Sequence, residues 1–127
     1  MPKTYYLDNN ILNLALRGIP FTPPSSLYIA LYTVIPGVGG GGTEVSGSAY
    51  ARQLATFGAP VNGQTSTTAD VLFPVASGTW GTIVAFAFLD ASSGGNMLYF
   101  GNLSTPRLVL TSDQVRFPAG QLICQET

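Results

Sequence analysis

The sequence predicts a mainly β fold: an antiparallel β-sandwich or flattened barrel of seven or eight short strands behind one short N-terminal helix. Three observations carry this expectation. Helical spacing of apolar residues occurs only near the N-terminus, between a capping side chain and a glycine. From Leu27 onward the apolar residues fall in short runs of strand character. Between those runs stand turn-forming clusters, drawn from 15 glycines and 9 prolines in 127 residues.

Asp8 or Asn9 is the expected N-cap, followed by Ile11, Leu12, Leu14, Ala15 and Leu16. Gly18 sits where a left-handed C′ residue is wanted, with Pro20 just beyond. So short a helix is marginal alone and must dock on something. Pro20, Pro23 and Pro24 make the next stretch an extended connector. Residues 1–26 are therefore an arm of helix and Pro-rich segment, and residues 27–127 the β-sandwich domain.

Leu27–Val34 is apolar on both faces and reads as a central strand. Residues 35–48 form a Gly-rich, flexible connection. Ala49–Phe57 alternates, placing Ala51, Ala55 and Phe57 on one face and Tyr50, Arg52 and Thr56 on the other. Asn62-Gly63 is a type I′ turn signal, since both positions need positive φ. Ala69–Val75 reads as a strand ended near Pro74. Trp80–Leu89 is the most buried-looking strand, and Met97–Phe100 returns from the Asp90–Asn96 loop as its hairpin partner. Short strands follow at Arg107–Leu110, Gln114–Phe117 and Gln121–Gln125. No internal repeat or heptad is visible.

Composition excludes several functional classes. Asp, Glu, Lys and Arg make up 9% of the chain, against about 25% in ordinary domains. The hydrophobic fraction of 46% is ordinary and sufficient for a core, so the chain is not of the disordered class. Net charge is −1, and the five basic residues (Lys3, Arg17, Arg52, Arg107, Arg116) are scattered. No basic face exists to displace counterions from a nucleic acid. The longest apolar stretch, Ile83–Leu89, is far below the ~18 residues of a membrane span. No signal peptide or lipidation motif is read, so the mature chain is expected to begin at or near Met1.

The catalytic inventory is small. The absence of histidine removes Ser-His-Asp and Cys-His arrangements and all histidine metal sites. The single cysteine, Cys124, forms neither an internal disulfide nor a thiolate zinc site, and reads as a small buried hydrophobe. Asp70, Asp90 and Asp113 could in principle make a carboxylate pair of the glycosidase kind, but Asp90 and Asp113 occupy ordinary turn positions. Residues 37–42 satisfy G-x-G-x-x-G literally. The helix N-terminus that gives that motif its phosphate-binding chemistry does not follow, so a strand-to-strand loop is expected. Trp80 and six tyrosines raise a carbohydrate-binding reading, although a lone tryptophan heading a strand is more often core. No cofactor and no metal are expected.

Several stretches in order resemble a family of small virion proteins from tailed bacteriophages. They are Leu27-Tyr-Ile-Ala-Leu-Tyr-Thr33, Glu44-Val-Ser-Gly-Ser-Ala-Tyr-Ala-Arg52, Val71-Leu-Phe-Pro74, Trp80-Gly-Thr82, Leu89-Asp-Ala91 with Gly94-Gly-Asn-Met-Leu98, and Phe117-Pro-Ala-Gly120. The chain departs from the family pattern at Ala85-Phe-Ala-Phe88, where a Phe-Gly-Ile-Tyr-like run is usual. It departs again at Thr111-Ser112-Asp113, where a Gly-Asp turn is usual. The resemblance implies a non-enzymatic structural protein of the virion, labelled either tail fibre protein or capsid decoration (cement) protein, with no catalytic residues to transfer.

Between those roles, a fibre shaft needs a long repeating element, and the chain has none. Cementing asks for a compact β-module with appendages that reach neighbours. The expectation is therefore capsid decoration, with a fibre tip or adaptor as the alternative and a sugar-binding module as a third reading. The expected partners are the major capsid protein and copies of the chain itself, as a trimer, with a glycan only under the alternative readings. The interface candidates, drawn from the arm and from the loop and segment after the first strand, are Tyr5, Tyr6, Leu7, Ile11, Leu14, Pro23, Pro24, Val38, Glu44, Tyr50 and Arg52.

Overall fold

The computed structural model describes residues 1–125. One helix, α1 (Tyr5–Arg17), precedes β1 (Leu27–Val34), β2 (Thr43–Glu44), β3 (Gln53–Ala55), β4 (Gln64–Ser66), β5 (Val71–Leu72), β6 (Gly81–Leu89), β7 (Met97–Val109), β8 (Arg116–Phe117) and β9 (Ile123–Gln125). A five-stranded antiparallel sheet runs β2-β1-β6-β7, with β3 sharing the β1 edge used by β2. Two short ribbons, β4–β9 and β5–β8, supply a second layer. Among the described residues the sheets do not close into a barrel, so the sandwich-like form of the expectation is the one adopted.

The main core lies between these layers. Ile29 and Leu31 of β1 and Ile83, Phe86 and Phe88 of β6 meet Val71, Phe73, Val115, Phe117 and Cys124. Trp80 is part of this core: its indole N–H donates to the Ser48 carbonyl at 2.9 Å, and Tyr50 packs edge-on to it at 5.4 Å. On the opposite face of the sheet Ala30, Tyr32, Ala85, Ala87, Leu89 and Phe100 form a second buried cluster. Burial of both faces explains the unbroken apolar runs of β1 and β6.

The helix starts earlier than capping chemistry predicts. Thr4, not Asp8 or Asn9, is the N-cap, accepting from the Leu7 N–H. The same hydroxyl donates to the Met97 carbonyl. A tertiary contact with β7 thus selects the cap. Residues before it pair with β7 as well: Phe100 N–H donates to the Pro2 carbonyl and Thr4 N–H to the Leu98 carbonyl. The C-terminal end follows expectation, with Gly18 left-handed at φ 65° and the Ile19 N–H bonded to the Asn13 carbonyl.

Other boundaries move for identifiable reasons. The expected strand 49–57 shrinks to β3, because Ser48 and Ala49 turn through positive φ and carry Tyr50 into the core. The expected strand 69–75 shrinks to β5. Met97–Phe100 and Arg107–Leu110 are one strand, β7, whose residues 103–106 bulge away from β6 between the pairs Ala85–Asn102 and Ile83–Arg107. The segment after β1 is an ordered turn, in which Gly37 and Gly40 exchange two backbone hydrogen bonds of 2.9 Å, and it leads into β2. The Asn62-Gly63 turn forms as read, with φ of 53° and 75°.

Candidate functional site

β2 and β3 pair with successive stretches of one β1 edge, and the chain between them must cross that gap. Three side chains fasten the crossing. Arg52 Nε and Nη2 donate to the two Glu44 carboxylate oxygens, each at 2.8 Å. Its Nη1 donates to the carbonyls of Ala91 and Gly94, also at 2.8 Å, which draws in the loop between β6 and β7. The Tyr50 hydroxyl donates to Glu44 at 2.7 Å and accepts from the Leu31 N–H at 3.0 Å.

Charge and burial act together here. Burial opposes ionisation of Glu44, but the hydrogen bonds from Arg52 and Tyr50 outweigh it and hold the carboxyl below its ordinary range. Burial, with the hydrogen bond to Glu44, pushes the Tyr50 hydroxyl far above the usual tyrosine value. The bond to Glu44 raises Arg52 further against its own burial. The ion pair is thus a fixed, charge-compensated part of the frame.

The arginine also lines a cleft of about 490 Å³. Tyr5 and Tyr6 come from the start of α1, Val38 and Gly39–Gly41 from the turn after β1, and Asn96 from the hairpin loop, with Tyr32 contributed by β1. A 2.7 Å bond from the Tyr5 N–H to the Val38 carbonyl joins the helix to the Gly turn. Asn96 is oriented by Asp90, which accepts from its backbone N–H at 2.7 Å and from its side-chain amide at 3.1 Å.

The structure thus brings Tyr5, Tyr6, Val38 and Arg52 around one cleft, with Glu44 and Tyr50 joined to it through Arg52. The remaining candidates lie elsewhere. Leu7 is turned inward and buried, Ile11 is half-buried, and Leu14, one turn further, is 52% exposed. These three share a helix face, so α1 loses its cover progressively along its length. A second ridge, Tyr5, Leu12 and Leu16, is open throughout. Pro23 is exposed and Pro24 half-buried, while Phe21 packs edge-on to Tyr6 at 6.4 Å.

Residue-by-residue reading missed Tyr32 and Asn96 as parts of the cleft. In β1 every residue from Ile29 to Tyr32 is buried, so nothing in the sequence distinguishes Tyr32 from a core residue.

Asp70, Asp90 and Asp113 hold separate turns: Asp70 binds Arg116 and the Ala119 N–H, Asp90 binds Asn96, and Asp113 accepts from the Leu110 N–H. Among the described residues no group of three His, Cys, Asp or Glu is placed to hold a metal. Residues 37–42 lead into β2 rather than a helix, so the phosphate-cradling geometry of G-x-G-x-x-G is not formed.

No curated protein matches the chain. A family model does: that of gp80, the podophage GP4 fiber I protein, matches residues 2–125, from the segment that pairs with β7 through β9. The match falls on the fibre role, the second of the two virion roles expected from the sequence, and implies a component of the virion. The chain therefore belongs to the podophage GP4 fiber I protein family of phage fibre structural proteins.

Proposed function

We propose that the chain is a non-catalytic, globular component of a fibre, a tip or adaptor rather than a shaft, which assembles through its N-terminal helix. The observation that carries this reading is the helix itself. Of its 13 residues only Leu7 is buried, while Leu12, Leu14 and Leu16 are 53%, 52% and 77% exposed. On its polar side, the Asn10 amide donates to the Tyr6 carbonyl and Arg17 to the Asn13 side chain, both within the helix. Exposed apolar ridges of this kind mark association surfaces. The absence of heptads or stacked repeats argues against a shaft. Copies of the chain in a closed trimer are the proposed first partner, closed symmetry being the rule for homo-oligomers.

Decoration of the head through contacts with the major capsid protein is the second reading, favoured by a surface with few charges to hold copies apart. Quantitative mass spectrometry of purified virions tests both. A fibre component is expected at a small multiple of the tail symmetry, and in threes if trimeric. Hundreds of copies, comparable to the major capsid protein, would favour decoration, and absence from virions would defeat both.

A further inference from the structure

Tyr32 has an unusual position for a buried tyrosine. The residue is 4% exposed, it lines the cleft, and its hydroxyl has no hydrogen-bond partner among the described residues. The ring is buried while the hydroxyl itself is not sealed in, no buried side-chain oxygen or nitrogen among the described residues being left unpaired. A phenol that opens on a cleft without a protein partner offers an occupant both a donor and an acceptor. The cleft, at about 490 Å³, falls within the range of roughly 300–1,000 Å³ typical of small-molecule sites.

The chemistry of the walls narrows the ligand class. Arg52 is the charged side chain lining the cleft, and it is committed to Glu44, Ala91 and Gly94. No free charge therefore faces the cleft to select an anion. The rings of Tyr5 and Tyr6, 60% and 36% exposed, offer flat apolar faces. Asn96 donates through both its backbone and side-chain nitrogens to Asp90, which leaves its amide oxygen as an acceptor in fixed orientation. Aromatic faces beside neutral, pre-oriented hydrogen-bonding groups suit a ligand with an apolar C–H face and a rim of hydroxyls.

We propose that this cleft is a binding site for a neutral saccharide, stacked on Tyr5 and hydrogen-bonded to the Tyr32 hydroxyl and the Asn96 amide oxygen. The cleft shares Tyr5 with the exposed helix ridge but not Leu12, Leu14 or Leu16, and the inference does not depend on the copy number of the chain in a fibre. It also replaces Trp80, which is core, with Tyr32 and Tyr5 as the residues that matter.

The test is saturation-transfer NMR on the full chain with maltotriose, cellotriose and chitotriose, and with sialyllactose as the charged comparison. Transfer from at least one neutral trisaccharide is expected. Tyr32→Phe should weaken it roughly three- to tenfold, the worth of one hydrogen bond. Its Tm should be unchanged, because the hydroxyl has no partner within the fold. Tyr5→Ala should abolish the transfer. No transfer from any neutral sugar, transfer from sialyllactose alone, or transfer unaltered in both variants would each overturn the site. Chains counted in virions but silent toward sugars would defeat this inference alone. Sugar binding by a chain absent from virions would instead defeat the fibre reading.

Discussion

Arg52 grips both carboxylate oxygens of Glu44 at 2.8 Å while its other nitrogen holds the carbonyls of Ala91 and Gly94. One side chain thereby joins β2, the approach to β3 and the β6–β7 loop. Arg52→Lys keeps the charge but loses the planar fork, and cannot satisfy these acceptors together. A loss of about 1–3 kcal/mol is expected for such unmade buried bonds. A chemical-denaturation midpoint shifted at unchanged m-value would show it.

The same pair sets an acid sensitivity. Burial would raise the Glu44 carboxyl, but Arg52 and Tyr50 hold it below its ordinary 4.5. A carboxylate with a depressed folded-state value contributes stability above its unfolded value and loses it as pH falls through the folded one. The Tm gap between wild type and Glu44→Gln should therefore be full near neutrality and close below about pH 4.5. A gap independent of pH would contradict this origin.

Thr4 holds the helix at two points, capping the Leu7 N–H and donating to the Met97 carbonyl. Thr4→Ala should cost about 1–2 kcal/mol. Amide hydrogen exchange should quicken first over residues 5–8 and 97–100, since the docking of α1 starts at Thr4. Uniform quickening across the sheet would argue for a different role.

Gly41 and Gly42 separate backbone strain from crowding. Both have positive φ, 80° and 75°, but an added Cβ at Gly41 meets nothing, while at Gly42 it would lie 2.7 Å from the Val34 carbonyl oxygen. Gly41→Ala should cost about 1–2 kcal/mol for left-handed backbone alone. Gly42→Ala should cost clearly more and disturb the β1–β2 connection. Equal losses in thermal denaturation would remove the distinction.

Leu12 and Leu16 are exposed and contribute little to the fold of one chain. The double substitution Leu12→Ser, Leu16→Ser should leave the unfolding free energy of the monomer within about 1 kcal/mol of wild type. It should shift sedimentation toward smaller species and reduce incorporation into virions. Association that survives the substitution would place the interface elsewhere. Because the contact is apolar, moderate salt should hardly weaken it.

Much of the sheet was legible in the sequence. The apolar runs of β1 and β6, the Asn62-Gly63 turn and the Gly18 cap each depend on local geometry, and each formed where it was read. The segments that went astray are those in which a local rule met a distant partner. Thr4 caps the helix because Met97 needs its hydroxyl, and residues 49–52 leave strand geometry as Tyr50 and Arg52 reach Glu44. The cleft belongs to this second kind, since Tyr5, Tyr32 and Asn96 lie far apart in the chain.

The class of the fold and its want of charge can be read along the chain, because period, turn chemistry and composition are properties of neighbours. Long-range folding alone leaves the Tyr32 hydroxyl unpaired at a cleft, commits Arg52 to Glu44 and leaves most of α1 uncovered. Those facts depend on which surfaces long-range packing brings together, and hydrogen-bond satisfaction at a buried site is settled only when every neighbour is in place.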